Sequence, residues 1–212
     1  MKICEIFYSI SGEGKSVGYP TVFIRFAGCN LAELGSPCKW CDTEYSWSMD
    51  KGTEMSPKQV LEKIGKYWNC PVIITGGEPL HQKDELIKLC IALTRTSRTV
   101  EIETNGSLEP FYSLQEVTWT VDMKTPSSGN VRKNNLKILQ SLRPVDQLKF
   151  VISDWSDFSW AINIIDNYNT KAPIVFSPNW NVMNKKQLVE WVMKQCPKAR
   201  VSIQLHKILG VK

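Results

Sequence analysis

The feature that most restricts the fold of this chain is a recurring alternation of short apolar runs with longer helical patterns. Runs rich in β-branched and aromatic residues occupy residues 21–26, 72–75, 99–103, 118–122, 148–152, 174–177 and 201–205. Each has the length and composition of a buried strand. Between several of them lie helical patterns at residues 56–67, 83–94, 158–167 and 185–194. The first carries its own start signal, with Ser56 as N-cap, Pro57 at the first position and Gln59 to complete a capping box. From residue 72 onward strands begin roughly every 20 to 30 residues, the spacing of βα units. There are too few units for a closed eight-stranded barrel of ~250 residues. The predicted architecture is therefore α/β, a partial, open TIM-like barrel of parallel strands with outer helices. Its site is expected where the C-terminal strand ends and the following loops converge.

These elements make one domain over residues 1–212. Hydrophobic residues at 42% and charged residues at 22% match an ordinary globular composition. No window reaches the ~18 consecutive apolar residues of a membrane span. Residues 1–10 place Lys2 and Glu5 among apolar side chains and lack the apolar stretch and cleavage site of a secretory leader. The expectation is a cytoplasmic protein with no membrane partner. A net charge of +5 arises from 26 basic and 21 acidic residues, the basic ones scattered in ones and twos. No basic tract points to a nucleic-acid partner.

Of the seven cysteines, Cys4, Cys70, Cys90 and Cys196 stand alone in apolar neighbourhoods, where cysteine is usually a small buried hydrophobe. Cys29, Cys38 and Cys41 stand together, with eight residues between the first two and two between the last pair. One loop after the run at residues 21–26 thus delivers three thiolates. Such a set holds a zinc ion if a fourth ligand joins, for which the chain offers His81 and His206, or an iron-sulfur cluster with one iron left open.

Polar residues follow four successive strands. Thr75-Gly76-Gly77-Glu78-Pro79 puts two glycines where a ligand can approach the backbone, and a carboxylate able to pair with an ammonium group. Glu103-Thr104-Asn105-Gly106, then Asp122 to Ser128, then Ser177-Pro178-Asn179 end later runs. Ligands of parallel sheets bind at such strand ends.

The cysteine loop followed by Gly76-Gly77-Glu78-Pro79 resembles the radical S-adenosylmethionine (SAM) superfamily, whose usual pattern is Cys-x3-Cys-x2-Cys; here the first gap is longer. Within it, Glu5 to Gly14, Phe23 to Leu31, Cys41-Asp42-Thr43, Glu103 to Gly106 and Gln204-Leu205-His206-Lys207 resemble the 7-carboxy-7-deazaguanine synthase family. These segments run nearly from end to end of the chain.

That resemblance implies a 4Fe-4S cluster on Cys29, Cys38 and Cys41 that chelates SAM at its open iron. Reductive cleavage would yield a 5′-deoxyadenosyl radical that abstracts hydrogen from 6-carboxy-5,6,7,8-tetrahydropterin, whose ring contracts with loss of ammonia. Trp40, between the close cysteines, would line the adenine pocket with Cys41 and Asp42. Gly76, Gly77 and Glu78 would hold the methionine amino end, and Glu103, Asp122, Met123, Lys124 and Ser177 the ribose and methionyl groups. Related chains often have Ser-Pro-Lys where this one has Asp122-Met123-Lys124. Ile10, Ser11, Gly12, Thr75 and His206 would face the substrate; Gln is usual at Ser11, and the shorter hydroxyl implies a water-mediated contact. Arg25 would grip the pterin carboxylate with its planar fork, and Thr43 would bind Mg2+, with Asp42 orienting metal-bound waters. The resemblance also implies a homodimer and a reductant such as flavodoxin or ferredoxin. The chain ends Gly210-Val211-Lys212 where relatives often end in Pro, and Lys212 receives no role.

Two other readings fit parts of the pattern. A radical SAM activase, which installs a glycyl radical on a partner enzyme, shares the cofactor motifs but leaves Arg25 and Thr43 without a task. A zinc-stapled nucleic-acid-binding module accounts for the cysteines but not for the polar strand ends.

Overall fold

The strands assemble into one nine-stranded sheet in the order β3-β1-β2-β4-β5-β6-β7-β8-β9, in a computed structural model that describes residues 1–67 and 69–212. The strands are β1 (Lys2–Ile10), β2 (Pro20–Phe26), β3 (Thr53–Glu54), β4 (Val72–Gly76), β5 (Val100–Thr104), β6 (Val117–Asp122), β7 (Gln147–Ile152), β8 (Ile174–Pro178) and β9 (Arg200–Val201). From β2 to β9 every pairing is parallel, whereas β1 pairs antiparallel with both β2 and β3. Among the described residues the outermost strands β3 and β9 do not meet, so the sheet is open as expected.

The helices are α1 (Asn30–Glu33), α2 (Pro57–Ile64), α3 (Lys83–Thr94), α4 (Ile138–Ser141), α5 (Trp155–Asn167), α6 (Lys185–Gln195) and α7 (Leu205–Leu209). The Ser56 capping box opens α2, with Ser56 accepting from the Gln59 N–H and Gln59 reaching back to the Ser56 N–H. Asp154 caps α5 through the Asp157 N–H, which starts this helix three residues before the apolar pattern alone indicates. Strand interiors explain the parallel class. Val72, Ile73 and Ile74 on β4 are all buried, since helices and neighbouring strands cover both faces. Part of the same core is aromatic: Phe150 stacks on Phe176 at 5.8 Å, and Phe158 packs against Phe176 at 5.1 Å.

Other elements also depart from the sequence expectation, two of them at the cavity. β1 is a strand that the apolar runs do not reveal, because Lys2 and Glu5 interrupt its pattern and its register shifts between Ile3 and Glu5. The expected strand at residues 201–205 stops at Val201. There the Ser202 N–H still reaches the Phe176 carbonyl, but the Leu205 N–H turns to the Gly12 carbonyl and α7 begins.

The glycines at the end of β4 are also required by packing. Gly76 has φ +147°, and a Cβ there would lie 2.3 Å from the Phe26 carbonyl oxygen; at Gly77 it would lie 2.2 Å from that of Gly28. Both positions lack a side chain, which lets the end of β4 press against the backbone leaving β2. Gly76→Ala is accordingly expected to cost on the order of 3 kcal/mol of folding stability or more through overpacking. Gly18→Ala, where φ is +83° and nothing stands within 4 Å, is expected to lose only about 1 kcal/mol of backbone energy. Urea unfolding of both variants checks this; equal losses would contradict the close-approach account.

Candidate active site

Past the C-terminal ends of the parallel strands lies a cavity of about 520 Å³ lined by Cys29, Cys38 and Cys41 together. Each sulfur meets N–H groups. The Leu31 and Ala32 backbone N–H groups favour the Cys29 thiolate against the larger effect of burial. Asn130 Nδ2 donates to Cys38 Sγ at 3.6 Å and Trp47 Nε1 to Cys41 Sγ at 3.3 Å. Burial pushes the Cys29 and Cys38 thiols above their usual range, so metal binding there must release protons. Among the described residues no three His, Cys, Asp or Glu side chains converge to hold a single metal ion. Three thiols sharing one cavity and receiving N–H groups suit an iron-sulfur cluster.

Glu78 braces this loop from behind. Its fully buried carboxylate accepts from the Leu80 N–H at 3.0 Å, the Asn105 N–H at 2.7 Å and the Thr104 hydroxyl at 2.9 Å. Asn105 Nδ2 then donates to Asn30 Oδ1 at 3.0 Å, beside the first cysteine. With these donors in place and no exposure to the cavity, Glu78 is an anchor rather than the expected counter-ion for an ammonium group. Met123 is corrected in the same way, being fully buried in the apolar core and absent from the cavity wall.

The remaining expected residues meet at the cavity. Gly76 and Gly77 reach it from β4 with Thr75, Glu103 from β5, Asp122 and Lys124 from β6, and Ser177 from β8. The end of β1 and the loop after it bring Ile10, Ser11 and Gly12, and α7 brings His206. These last two segments fit each other, since a Cβ at Gly12 would fall 1.8 Å from His206 Nδ1. Ser11 is fully buried, and its hydroxyl donates to the Glu13 carbonyl at 2.9 Å, which leaves its oxygen lone pairs as acceptors. Thr43 donates to Asp42 Oδ1 at 2.9 Å, and both line the cavity with Trp40. Among the described residues, the buried atoms Trp40 Nε1 and Asp122 Oδ1 have no partner in the protein, which leaves one donor and one acceptor for a bound molecule.

Charges line the cavity in pairs. Lys124 Nζ stands 3.1 Å from Asp122 Oδ2, Arg25 Nε 2.9 Å from Glu5 Oε1, and Lys207 Nζ 3.5 Å from Asp42 Oδ2. Lys149 pairs with Glu13, and Lys212 with Glu5. Burial works to raise the Glu13 carboxyl, but Lys149 holds it below its ordinary range. Burial pushes Glu103 up to about 7, aided by the Glu13 and Glu101 charges and opposed by Lys149 and a hydrogen bond from Thr75. Burial likewise lowers His206. The wall therefore offers fixed cations, one carboxyl able to hold or release a proton near neutrality, and an uncharged imidazole.

Glu13, Trp47, Asn130 and Lys149 join the site without being marked by the sequence motifs. A usable signal existed for Lys149, a lone lysine inside the apolar run Leu148 to Ile152; Trp47 and Asn130 reach the cysteines only through tertiary contacts.

Comparison with known proteins agrees with this geometry. Residues 23–128 match the Radical SAM superfamily model. A 7-carboxy-7-deazaguanine synthase of Methanospirillum hungatei is 39% identical over 100% of this chain and 86% of its own length. One from Leptospira interrogans is 35% identical over 97% of this chain and 93% of its own. Among solved structures, QueE from Escherichia coli superposes with a TM-score of 0.75 at 24% identity, covering 96% of this chain and 93% of that one. SuiB from Streptococcus suis shares the fold at a TM-score of 0.57 and 14% identity, covering 87% of this chain and 48% of that one.

The Glu103 shift has a sign that can be tested without any ligand. Its folded-state pKa of about 7 exceeds the ordinary 4.5, so its contribution to stability is fully present below pH 4.5 and is lost as pH rises through about 7. Glu103→Gln is expected to gain stability relative to the parent protein across that interval. Denaturation midpoints of the two proteins measured at pH 4.5 and pH 8 check it; a constant difference would contradict the shift.

Proposed function

The chain belongs to the 7-carboxy-7-deazaguanine synthase family of the radical SAM superfamily, and from that membership we propose how the cavity residues divide the work. The protein is an enzyme that converts 6-carboxy-5,6,7,8-tetrahydropterin to 7-carboxy-7-deazaguanine with release of ammonia, a step toward 7-deazapurine nucleosides. The observation that carries the residue-level reading is that one cavity joins the three cysteines to the charged wall holding Arg25. When bound, a 4Fe-4S cluster on Cys29, Cys38 and Cys41 and SAM supply the radical chemistry. The full-length relatives leave no support for the activase reading.

Arg25 is the proposed clamp for the substrate carboxylate. Glu5 engages its Nε, and the Phe7 and Tyr45 rings lie 5.9 and 5.8 Å from its guanidinium carbon. This holds the planar group in place and leaves its Nη atoms for bidentate recognition. Lys124 and Lys149 add positive potential against anionic groups, and Asp122 Oδ1 offers an acceptor to a hydroxyl or ammonium of SAM. Glu103 can hold or release a proton at its carboxyl oxygen, and Trp40 covers the cysteine side of the cavity. Ile10, Gly12, Thr75 and His206 are the proposed substrate wall; Gly77 and Ser177 are assigned to SAM.

Magnesium is proposed at Thr43. Mg2+ keeps several waters and needs few protein ligands, so Thr43, the substrate and water suffice, with Asp42 orienting the water. A flavodoxin- or ferredoxin-type reductant and a homodimer are proposed on the family resemblance. No helix among the described residues is long and apolar enough to cross a membrane; a cytoplasmic location is proposed because seven free cysteines suit a reducing compartment.

Arg25→Ala is expected to leave iron loading intact and raise KM for the pterin roughly 10- to 100-fold, the loss of charge-assisted hydrogen bonds. Steady-state kinetics with measured iron content checks it, and an unchanged KM would remove Arg25 from carboxylate binding. Thr43→Ala is expected to weaken the response to magnesium, measured as activity against Mg2+ concentration; a superimposable titration would take Thr43 out of the metal site.

A further inference from the structure

Two side chains outside the recognised motifs touch the cysteine sulfurs. Trp47 Nε1 lies 3.3 Å from Cys41 Sγ, and Asn130 Nδ2 lies 3.6 Å from Cys38 Sγ. An indole nitrogen can only donate, and a side-chain amide nitrogen likewise offers only N–H groups. Both contacts are therefore N–H···S hydrogen bonds with the sulfur as acceptor.

Neither donor is held by chance. Asn130 is fully buried; Ser36 Oγ donates to its Oδ1 at 3.1 Å, which directs the amide nitrogen to Cys38, and its own N–H donates to Ser128 Oγ at 3.0 Å. The same loop accepts the Lys39 N–H at the Ser128 carbonyl, 3.1 Å away. It is fixed in turn where the Ser127 N–H meets buried Asp157 at 2.9 Å. The extended gap between Cys29 and Cys38 is thus clamped to the segment after β6. Trp47 lies on the other flank, and its carbonyl accepts the Cys29 N–H at 2.9 Å, so one residue engages the first and third cysteines.

We propose that Trp47 and Asn130 are positioning residues that raise the reduction potential of the cluster by hydrogen-bonding two of its thiolates. This rests on reading Cys29, Cys38 and Cys41 as the cluster ligands. One electron from an external reductant takes a 4Fe-4S cluster from the 2+ to the 1+ state, with no atom transferred. The extra negative charge spreads onto the sulfurs, where N–H donors stabilise it; hydrogen bonds to sulfur are among the factors that set such potentials. Removing either donor stabilises the reduced state less.

The test uses Trp47→Phe, which keeps an aromatic ring and deletes the N–H, and Asn130→Leu, close in size with no donor. Parent and variants are reconstituted anaerobically with iron and sulfide, analysed for both, and titrated with dithionite while the reduced cluster is followed by electron paramagnetic resonance. The expected result is full iron loading with a midpoint potential more negative than the parent's in each variant, and more negative again in the double variant. Full loading with the parent's midpoint in both variants would overturn the proposal while leaving the cluster assignment standing. Folded variants that fail to load iron would also overturn it, making the two residues assembly supports. A parent protein that loads no four-iron cluster would bring down the ligand reading itself.

Discussion

The carboxylate of Glu78 is the interaction on which the cavity depends. Buried without exposure, it gathers N–H and hydroxyl donors from the turn after β4 and from the end of β5. Removing such an acceptor would strand several buried donors, each costing about 1 to 3 kcal/mol. Through Asn105 and Asn30 the same network reaches the residue after Cys29. The strand ends that supply the cavity wall and the loop that supplies the thiols are thereby one hydrogen-bonded unit. Gly76 and Gly77 complete it by letting β4 press against the backbone of Phe26 and Gly28.

On that support the cavity separates two kinds of chemistry. The cysteine side is furnished with N–H groups that meet sulfur. Carboxylates and ammonium groups furnish the rest in pairs, Glu13 with Lys149 and, beside Trp40 and Cys38, Asp122 with Lys124. Pairing keeps each charge fixed and affordable in a partly buried setting, while leaving Asp122 Oδ1 and the Arg25 fork for a bound molecule. Glu103 is the exception, a carboxyl raised toward neutrality because burial outweighs its cationic neighbour.

Much of this was legible in the chain. The βα spacing after residue 72 gave the open parallel sheet, and the polar strand ends gave the cavity rim, because both follow from local pattern. The family segments added Arg25, Thr43 and His206. What local pattern could not carry was long-range partnership. Glu78 reads as a carboxylate able to pair with an ammonium group until Thr104 and Asn105 are seen to enclose it, and Met123 as a site residue until its side chain is seen in the core. β1 escaped notice because charged residues and a register shift break its alternation. Residues 201–205 looked like a strand because β-branched and apolar residues continue past the point where the Leu205 N–H turns to Gly12.

The central claim is that this cavity, loaded with one 4Fe-4S cluster on Cys29, Cys38 and Cys41, contracts a carboxylated pterin. Mass spectrometry of the anaerobically reconstituted protein, supplied with reductant, Mg2+, SAM and 6-carboxy-5,6,7,8-tetrahydropterin, tests it most directly. The account predicts accumulation of 7-carboxy-7-deazaguanine. Cluster-loaded protein that cleaves SAM and leaves the pterin unchanged would contradict it.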